Sequence, residues 1–172
     1  SRAPYVSDRD RVQLDAEGSI QYGMYYWDDN YPDSHVFAEG ECLRKTFEPD
    51  FMLYHTMAVD EWGHMKGADS AEYANAVAAV GHLIAARMPE WLEKGYQVVV
   101  TADHGMNNLG IHVGTEYAQR EVALYIFSDK VENGRFEENY ISQLNVAPMV
   151  CRLMGVPATE GMKQELEIAF AK

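Results

Sequence analysis

Cysteine is nearly missing from this chain, with Cys42 and Cys151 the only 2 in 172 residues. So few, set so far apart, exclude a disulfide framework and a cysteine-based zinc site. Both fall at apolar helical positions, which predicts packed free thiols. Basic residues are scarce too: Lys and Arg total 14 against 27 Asp and Glu, a net charge of −13 and a pI near 4.7. Such a chain repels a phosphate backbone, which argues against a nucleic-acid polymer or an anionic membrane surface as a general partner. Bound cations can still invert the sign locally and admit a phosphorylated small molecule. No apolar run approaches the ~18 residues of a membrane span. Ser1-Arg2-Ala3-Pro4-Tyr5 leads into no apolar stretch of the signal-peptide kind, so no compartment is assigned. There is no Gly-x-Ser-x-Gly elbow, no phosphate-binding Gly-x-x-x-x-Gly-Lys loop and no dinucleotide fingerprint.

What remains is ordinary globular composition, 47% apolar and 24% charged. The length suits one domain able to bury roughly 70% of its unfolded surface. Residues 1–32 read as an irregular, aromatic-rich segment ending in Tyr22-Gly23-Met24-Tyr25-Tyr26-Trp27-Asp28-Asp29-Asn30-Tyr31-Pro32. That stretch reads first as a surface meander, with an aromatic wall beside a site as the alternative. From Asp33 or Ser34, either of which can cap, a helix presents Val36, Phe37, Leu43 and Phe47 and closes at Pro49. Phe51–Thr56 is nearly continuous and apolar, as a buried strand would be, and a polar loop follows from Met57 to Asp69. Ser70 caps a helix with Tyr73, Val77, Val80, Ile84 and Met88 on one face, ended by Pro89. Gln97–Thr101 and Val122–Phe127 read as two further strands. A last helix starts at Asn145, carries Val146, Val150 and Leu153 inward, and stops at Gly155. Strands alternating with helices predict an α/β fold with a mostly parallel, helix-covered sheet.

Ligands in such sheets bind beyond the carboxyl ends of the strands. Two polar clusters fall there, Asp60-Glu61-Trp62-Gly63-His64 and Asp103-His104-Gly105, and His112 follows in a Gly-flanked loop. Asp60, His64, Asp103, His104 and His112 make an oxygen-and-nitrogen donor set suited to zinc or a similar divalent ion, and large enough for two. Asp103 and His104 can share an ion only if the chain bends there, and Gly105 makes that bend easy. His35, His55 and His82 are read as structural, His55 as a packed, hydrogen-bonded residue.

At these residues the chain resembles the alkaline phosphatase superfamily, nearest to its type I phosphodiesterase/nucleotide pyrophosphatase branch. The resemblance runs through Asp60-Glu61-Trp62-Gly63-His64, Lys66–Ser70, Thr101–Met106, and Asn145–Met149 with Leu153–Pro157, in consistent order over roughly residues 33–160. It implies that Asp60, His64 and His112 hold one divalent ion and that Asp103 and His104 hold part of a second, zinc or alternatively manganese. Glu61, Trp62, Asn107 and Asn108 become candidate substrate or supporting contacts. It implies a two-metal phosphodiesterase-like hydrolase acting on a phosphate-ester small molecule such as a nucleotide. The Ser/Thr nucleophile belongs to an N-terminal half outside this chain, so residues 33–172 correspond to the C-terminal half of the catalytic domain. No catalytic residue is then expected within the chain, which alone is inactive and, with an edge and an apolar face uncovered, self-associates. The short spacing to His112 is closer to cofactor-independent phosphoglycerate mutases or ethanolamine phosphate transferases than to typical nucleotide pyrophosphatases. A phosphomutase or phosphoethanolamine transferase is therefore one alternative function. A non-catalytic, metal-stabilised interaction module is the other.

Overall fold

A computed structural model describes residues 12–26, 28–134, 140–162 and 165–171. The described chain divides into two compact units, residues 1–88 with 103–122, and residues 89–102 with 123–172. Residues 1–11 of the aromatic-rich segment and Trp27 lie outside the described residues.

The first unit opens with an antiparallel hairpin, β1 (Val12–Leu14) and β2 (Tyr22–Met24), where irregular chain was expected. Helix α1 (Asp33–Phe47) buries Phe37 and Leu43, and stacks Phe47 on Tyr22 at 3.8 Å between ring centroids. Its start differs from expectation. Pro32 is the cap residue and provides no side-chain bond. The Asp33 carboxylate, buried, instead accepts the backbone N–H groups of Met57 (3.0 Å) and Ala58 (3.4 Å). These are the first free donors of α2 (Ala58–Lys66), so Asp33 acts as an N-cap for a helix 25 residues away.

Helix α2 replaces the polar loop expected over residues 57–69. Asp60 and Glu61 in its first turn and Lys66 in its last complement the helix dipole. Helix α3 (Ala71–Ala85) starts as the sequence predicts, with Ser70 Oγ accepting from Tyr73 N at 3.1 Å. It stops at Ala85, ahead of Pro89, which falls in the first turn of the short α4 (Met88–Glu93). Residues 51–56 form no strand: Phe51 and Leu53 are exposed, and the segment alternates exposed and half-buried positions. A strand-forming composition yields a strand only where a neighbour pairs with it, and no pairing of this segment occurs among the described residues.

In the second unit β3 (Val98–Val100) pairs antiparallel with β4 (Tyr125–Phe127), Val99 opposite Ile126. The expected mostly parallel, helix-covered sheet is therefore corrected for the described residues, which hold two small antiparallel sheets. Apolar runs specify strands but not their direction, and β3 and β4 meet head to tail. Helix α6 (Val146–Met154) packs Met149 and Leu153 with Ile168 into the core, against Val99, Leu124 and Ile126. Asn145, fully buried, does not cap it. Its amide donates to Ser142 O and to a Glu167 carboxylate oxygen, and its Oδ1 accepts from Glu167 N at 2.9 Å, stitching the C-terminal segment to the helix. Gly155 ends α6 in the left-handed region, φ 74°, as expected. Cys42 is exposed rather than packed, and Cys151 is half-buried; both are free. No described helix is long and apolar enough to cross a membrane.

Candidate metal centre

The donor set assembles within the first unit from two pieces of chain. Asp60 and His64 lie at i and i+4 of α2 and so share a face. The other three come from residues 103–112, a segment that docks onto the end of that helix. Ala68 N donates to Asn107 O at 3.1 Å, and the ring of His64 reaches Gly110 O at 2.8 Å. Gly110 holds φ 74°, and a Cβ there would lie 2.7 Å from His64 O, so only glycine permits this approach. The chain bends at Asp103, as the donor set requires. Gly105 has a different use from the one expected: it lets the backbone pass against Ala118 O, leaving no room for a side chain.

Asp60, His64 and His112 each offer a donor atom, all within 4.8 Å of one another. Asp60 Oδ2 is 3.5 Å from His64 Nε2, and its Oδ1 is 3.8 Å from His104 Nε2. His104 Nε2 is also 3.7 Å from Asp103 Oδ2, on a side chain that is 72% exposed. The His104 and His112 rings stack at 3.8 Å, and His64 meets His112 edge-on at 5.0 Å. All five predicted ligands thus converge on one region.

The tautomers follow from the second ring nitrogens. His64 Nδ1 faces Gly110 O and His104 Nδ1 faces Gly105 O at 3.1 Å; a carbonyl only accepts, so each Nδ1 carries the proton. In neutral rings Nε2 then presents a lone pair toward the Asp60 carboxylate. Electron-rich atoms so arranged call for positive charge between them, a proton or a cation. The separations exceed the 2.7–3.2 Å of a direct hydrogen bond. They approach the about 3.3 Å between neighbouring ligands on a tetrahedral ion with bonds of about 2.0–2.1 Å. Asp60 Oδ1 is moreover buried without any hydrogen bond, an arrangement costing about 1–3 kcal/mol unless something else satisfies it. The residues therefore fit a divalent ion, and the carbonyl-anchored imidazoles match the usual support of metal-ligating histidine.

The remaining candidates separate. Trp62 lines an open pocket of about 690 Å³ with Asp33, Ala58, Glu72 and Leu83, and none of the five donors is among its lining residues. Glu61 is half-buried beside it on α2. Asn107 is buried and structural: its Oδ1 accepts from Leu109 N and Ile111 N. Asn108 is exposed.

Sequence reasoning passed over Gln119 and understated Tyr26 and His55. Tyr26 Oη and His55 Nδ1 are 2.7 Å apart. Burial lifts the Tyr26 phenol above its usual range, with the charges of Asp29, Asp33, Asp103 and Asp60 adding to it. An aromatic residue of the N-terminal segment therefore lies in the field of the donor carboxylates, as an aromatic wall would, and His55 is exposed rather than packed. Burial likewise raises Tyr73, with Asp60 contributing.

Comparison with known proteins finds relatives along most of the chain. GPI ethanolamine phosphate transferase 3, catalytic subunit, from Mus musculus is 27% identical over 157 residues, covering 87% of this chain and 14% of the relative. The Homo sapiens protein of that name is 29% identical over 117 residues, covering 66% of the chain and 11% of the relative. GPI ethanolamine phosphate transferase 3 from Saccharomyces cerevisiae is 26% identical over 132 residues, covering 67% and 12%. The chain thus spans only a small part of the length of these relatives. No solved structure matches it significantly. The family described as type I phosphodiesterase / nucleotide pyrophosphatase matches residues 9–148, across both pieces of the donor set, and the chain belongs to that family, within the alkaline phosphatase superfamily.

Proposed function

We propose that this chain carries the ion-binding part of a phosphoethanolamine-transferase-type enzyme. Asp60, His64 and His112 hold one divalent ion, and Asp103 and His104 contribute to a second, with zinc the ion best suited to the donors. The observation that carries this reading is the buried Asp60 Oδ1, which accepts no hydrogen bond while facing His104 across 3.8 Å. Transfer to a hydroxyl acceptor, rather than to water, is preferred to hydrolysis because the relatives reported above are named as transferases.

Bound ions would supply Lewis acidity at a phosphoryl oxygen. The chain's own residues do the rest. The Nδ1 contacts with Gly110 O and Gly105 O hold the two imidazoles with Nε2 turned toward the Asp60 carboxylate. Asp60 sets its two oxygens toward different imidazoles, His64 and His104. Tyr26 and His55 supply a hydrogen-bonding pair beside the acidic cluster. The nucleophile is read as lying in the part of the relatives' length that this chain does not span. The exposed apolar residues Phe51, Leu53, Leu109 and Val113 support association with further protein, a second copy included.

The test is zinc titration by calorimetry of the chain and of its Asp60→Ala and His112→Ala variants, with a chromogenic phosphodiester as substrate. One ion should bind tightly and a second weakly, each substitution should abolish the tight phase, and turnover should be absent. A wild-type chain that binds no ion refutes the metal reading. Turnover lost in His112→Ala would place the nucleophile within these residues.

A further inference from the structure

We propose that Gln119 is a positioning residue that fixes His112, and through it the spacing of the two imidazoles His104 and His112; the inference rests on the reading of His112 as an ion ligand.

Gln119 is 6% exposed, unusual for an uncharged polar residue on a four-residue helix, α5 (Tyr117–Arg120), at the surface. Its side-chain amide donates to Ile111 O at 3.2 Å and to Val113 O at 3.4 Å, the carbonyls immediately before and behind His112. One planar group therefore holds the peptide unit that leads into His112 and the carbonyl of the residue after it, which restrains the loop on both sides of the ligand. The other end of the amide is held as well: Oε1 accepts from Glu116 N at 3.1 Å, and the Glu116 side chain completes a reciprocal cap on α5. Glu116 also accepts from Asn107 Nδ2 at 3.2 Å, tying the far side of the loop to the same point. Gly114 leaves the space that Gln119 fills, since a Cβ there would collide with the Gln119 amide.

The main chain of Gln119 reaches the other imidazole. Its carbonyl accepts Gly105 N at 2.9 Å, one residue beyond His104. A single residue thus grips the His112 segment by its side chain and the His104 segment by its backbone, and the two rings lie stacked at 3.8 Å and 16°. Nothing about helix stability requires the amide to bridge Ile111 and Val113; the cap uses only Oε1. The donor end is the part available for ligand placement.

Gln119→Glu separates the two uses. It keeps an oxygen for Glu116 N but sets a second oxygen against two carbonyls, turning two attractions into repulsions. Gln119→Ala removes both. Two measurements on the 172-residue chain decide the matter. In zinc calorimetry, Gln119→Glu should weaken the tight ion about 10–100-fold, as loss of a ligand's outer support typically does, with His112→Ala marking complete loss. In the ion-free protein, NMR of the imidazole protons should lose the ring-current shifts of the stacked His104 and His112 in Gln119→Glu. Metal-free melting of Gln119→Glu is compared with that of Gln119→Ala, because a carboxylate buried against two carbonyls also costs stability. Retained ring-current shifts, or zinc affinity within twofold of wild type, overturns the inference. A wild-type chain that binds no zinc overturns the metal reading instead, and the ion-free ring-current comparison still decides the role of Gln119.

Discussion

Replacing Gly110 by alanine tests whether the donor set depends on the close docking of its two pieces. Gly110 has φ 74°, a region that costs an L-residue about 1–2 kcal/mol. Its new Cβ would lie 2.7 Å from His64 O and 2.9 Å from Gly63 O, both backbone atoms at the end of α2. Backbone cannot swing aside as a side chain does, so the loop and helix must separate. Separation breaks the 2.8 Å bond from His64 Nδ1 to Gly110 O, worth about 1 kcal/mol. The total is about 2–3 kcal/mol, or roughly a 4–12 °C fall in melting temperature for a chain of this size.

The bond that breaks is also the one that fixes the His64 tautomer, so zinc affinity should fall about 10–100-fold in parallel. Gly81→Ala is the matched control. Gly81 lies inside α3 with nothing within 4 Å of a new Cβ, so the same chemical change should stabilise by about 0.5–1 kcal/mol. Circular dichroism melts of both variants, with zinc calorimetry on each, give the result. If Gly110→Ala melts within a degree of wild type and binds zinc equally well, the docking argument is wrong.

Asp33→Ala should destabilise by about 0.5–2 kcal/mol in denaturant melts, because it uncaps α2 rather than its own helix; hydrogen exchange should localise the loss to Met57 and Ala58. Asn145→Ala leaves Glu167 and Ser142 groups without their partner in a fully buried position and should cost about 1–3 kcal/mol, read from urea midpoints. The phenols of Tyr26, Tyr54 and Tyr73 are all raised, chiefly by burial. The unfolded chain releases these protons first, so stability is full below pH ~10 and falls as pH rises through the folded values. A spectrophotometric phenolate titration should show this late class, and Tyr26→Phe should shrink it; a single transition near pH 10 would contradict the assignment.

Local signals were the legible ones. Ser70 announces α3, Gly155 ends α6, and Val98–Val100 and Tyr125–Phe127 lie inside the runs read as strands, because caps, left-handed stops and apolar runs are written in neighbouring residues. Long-range determinants were not. Helix α2 is short, contains Gly63, and is capped by a carboxylate 25 positions upstream, so the window around it reads as a polar loop. Strand direction depends on how the intervening chain travels, and 24 residues separate Val100 from Tyr125, so β3 and β4 concealed their antiparallel pairing. Asp60, His64, Asp103, His104 and His112 stood out by donor chemistry, by their place after runs read as strands, and by the family resemblance. Gln119 did not, since nothing in a glutamine's surroundings reveals that its amide will bridge two carbonyls.

The charge of the chain bears on how such a site fills. Asp29, Asp33, Asp60 and Asp103 all act on one phenol, Tyr26, so the field around the donor set is strongly negative. Each unit charge about 8 Å away repels an approaching monoanion by about 0.5 kcal/mol even at the dielectric constant of water, and more near the protein surface. The four together come to about 2 kcal/mol at that dielectric constant, comparable to what a few hydrogen bonds at about 1 kcal/mol each return. Lysine and arginine do not offset them here: no basic side chain is among the charges that shift Tyr26 or Tyr73. On the proposed reading, bound cations would reverse the local sign and favour a phosphate ester. Ion binding on that reading therefore favours anion binding, so inorganic phosphate should bind the zinc-loaded chain more tightly than the ion-free one in calorimetry. Equal phosphate affinity in both forms would show that the anion is held elsewhere.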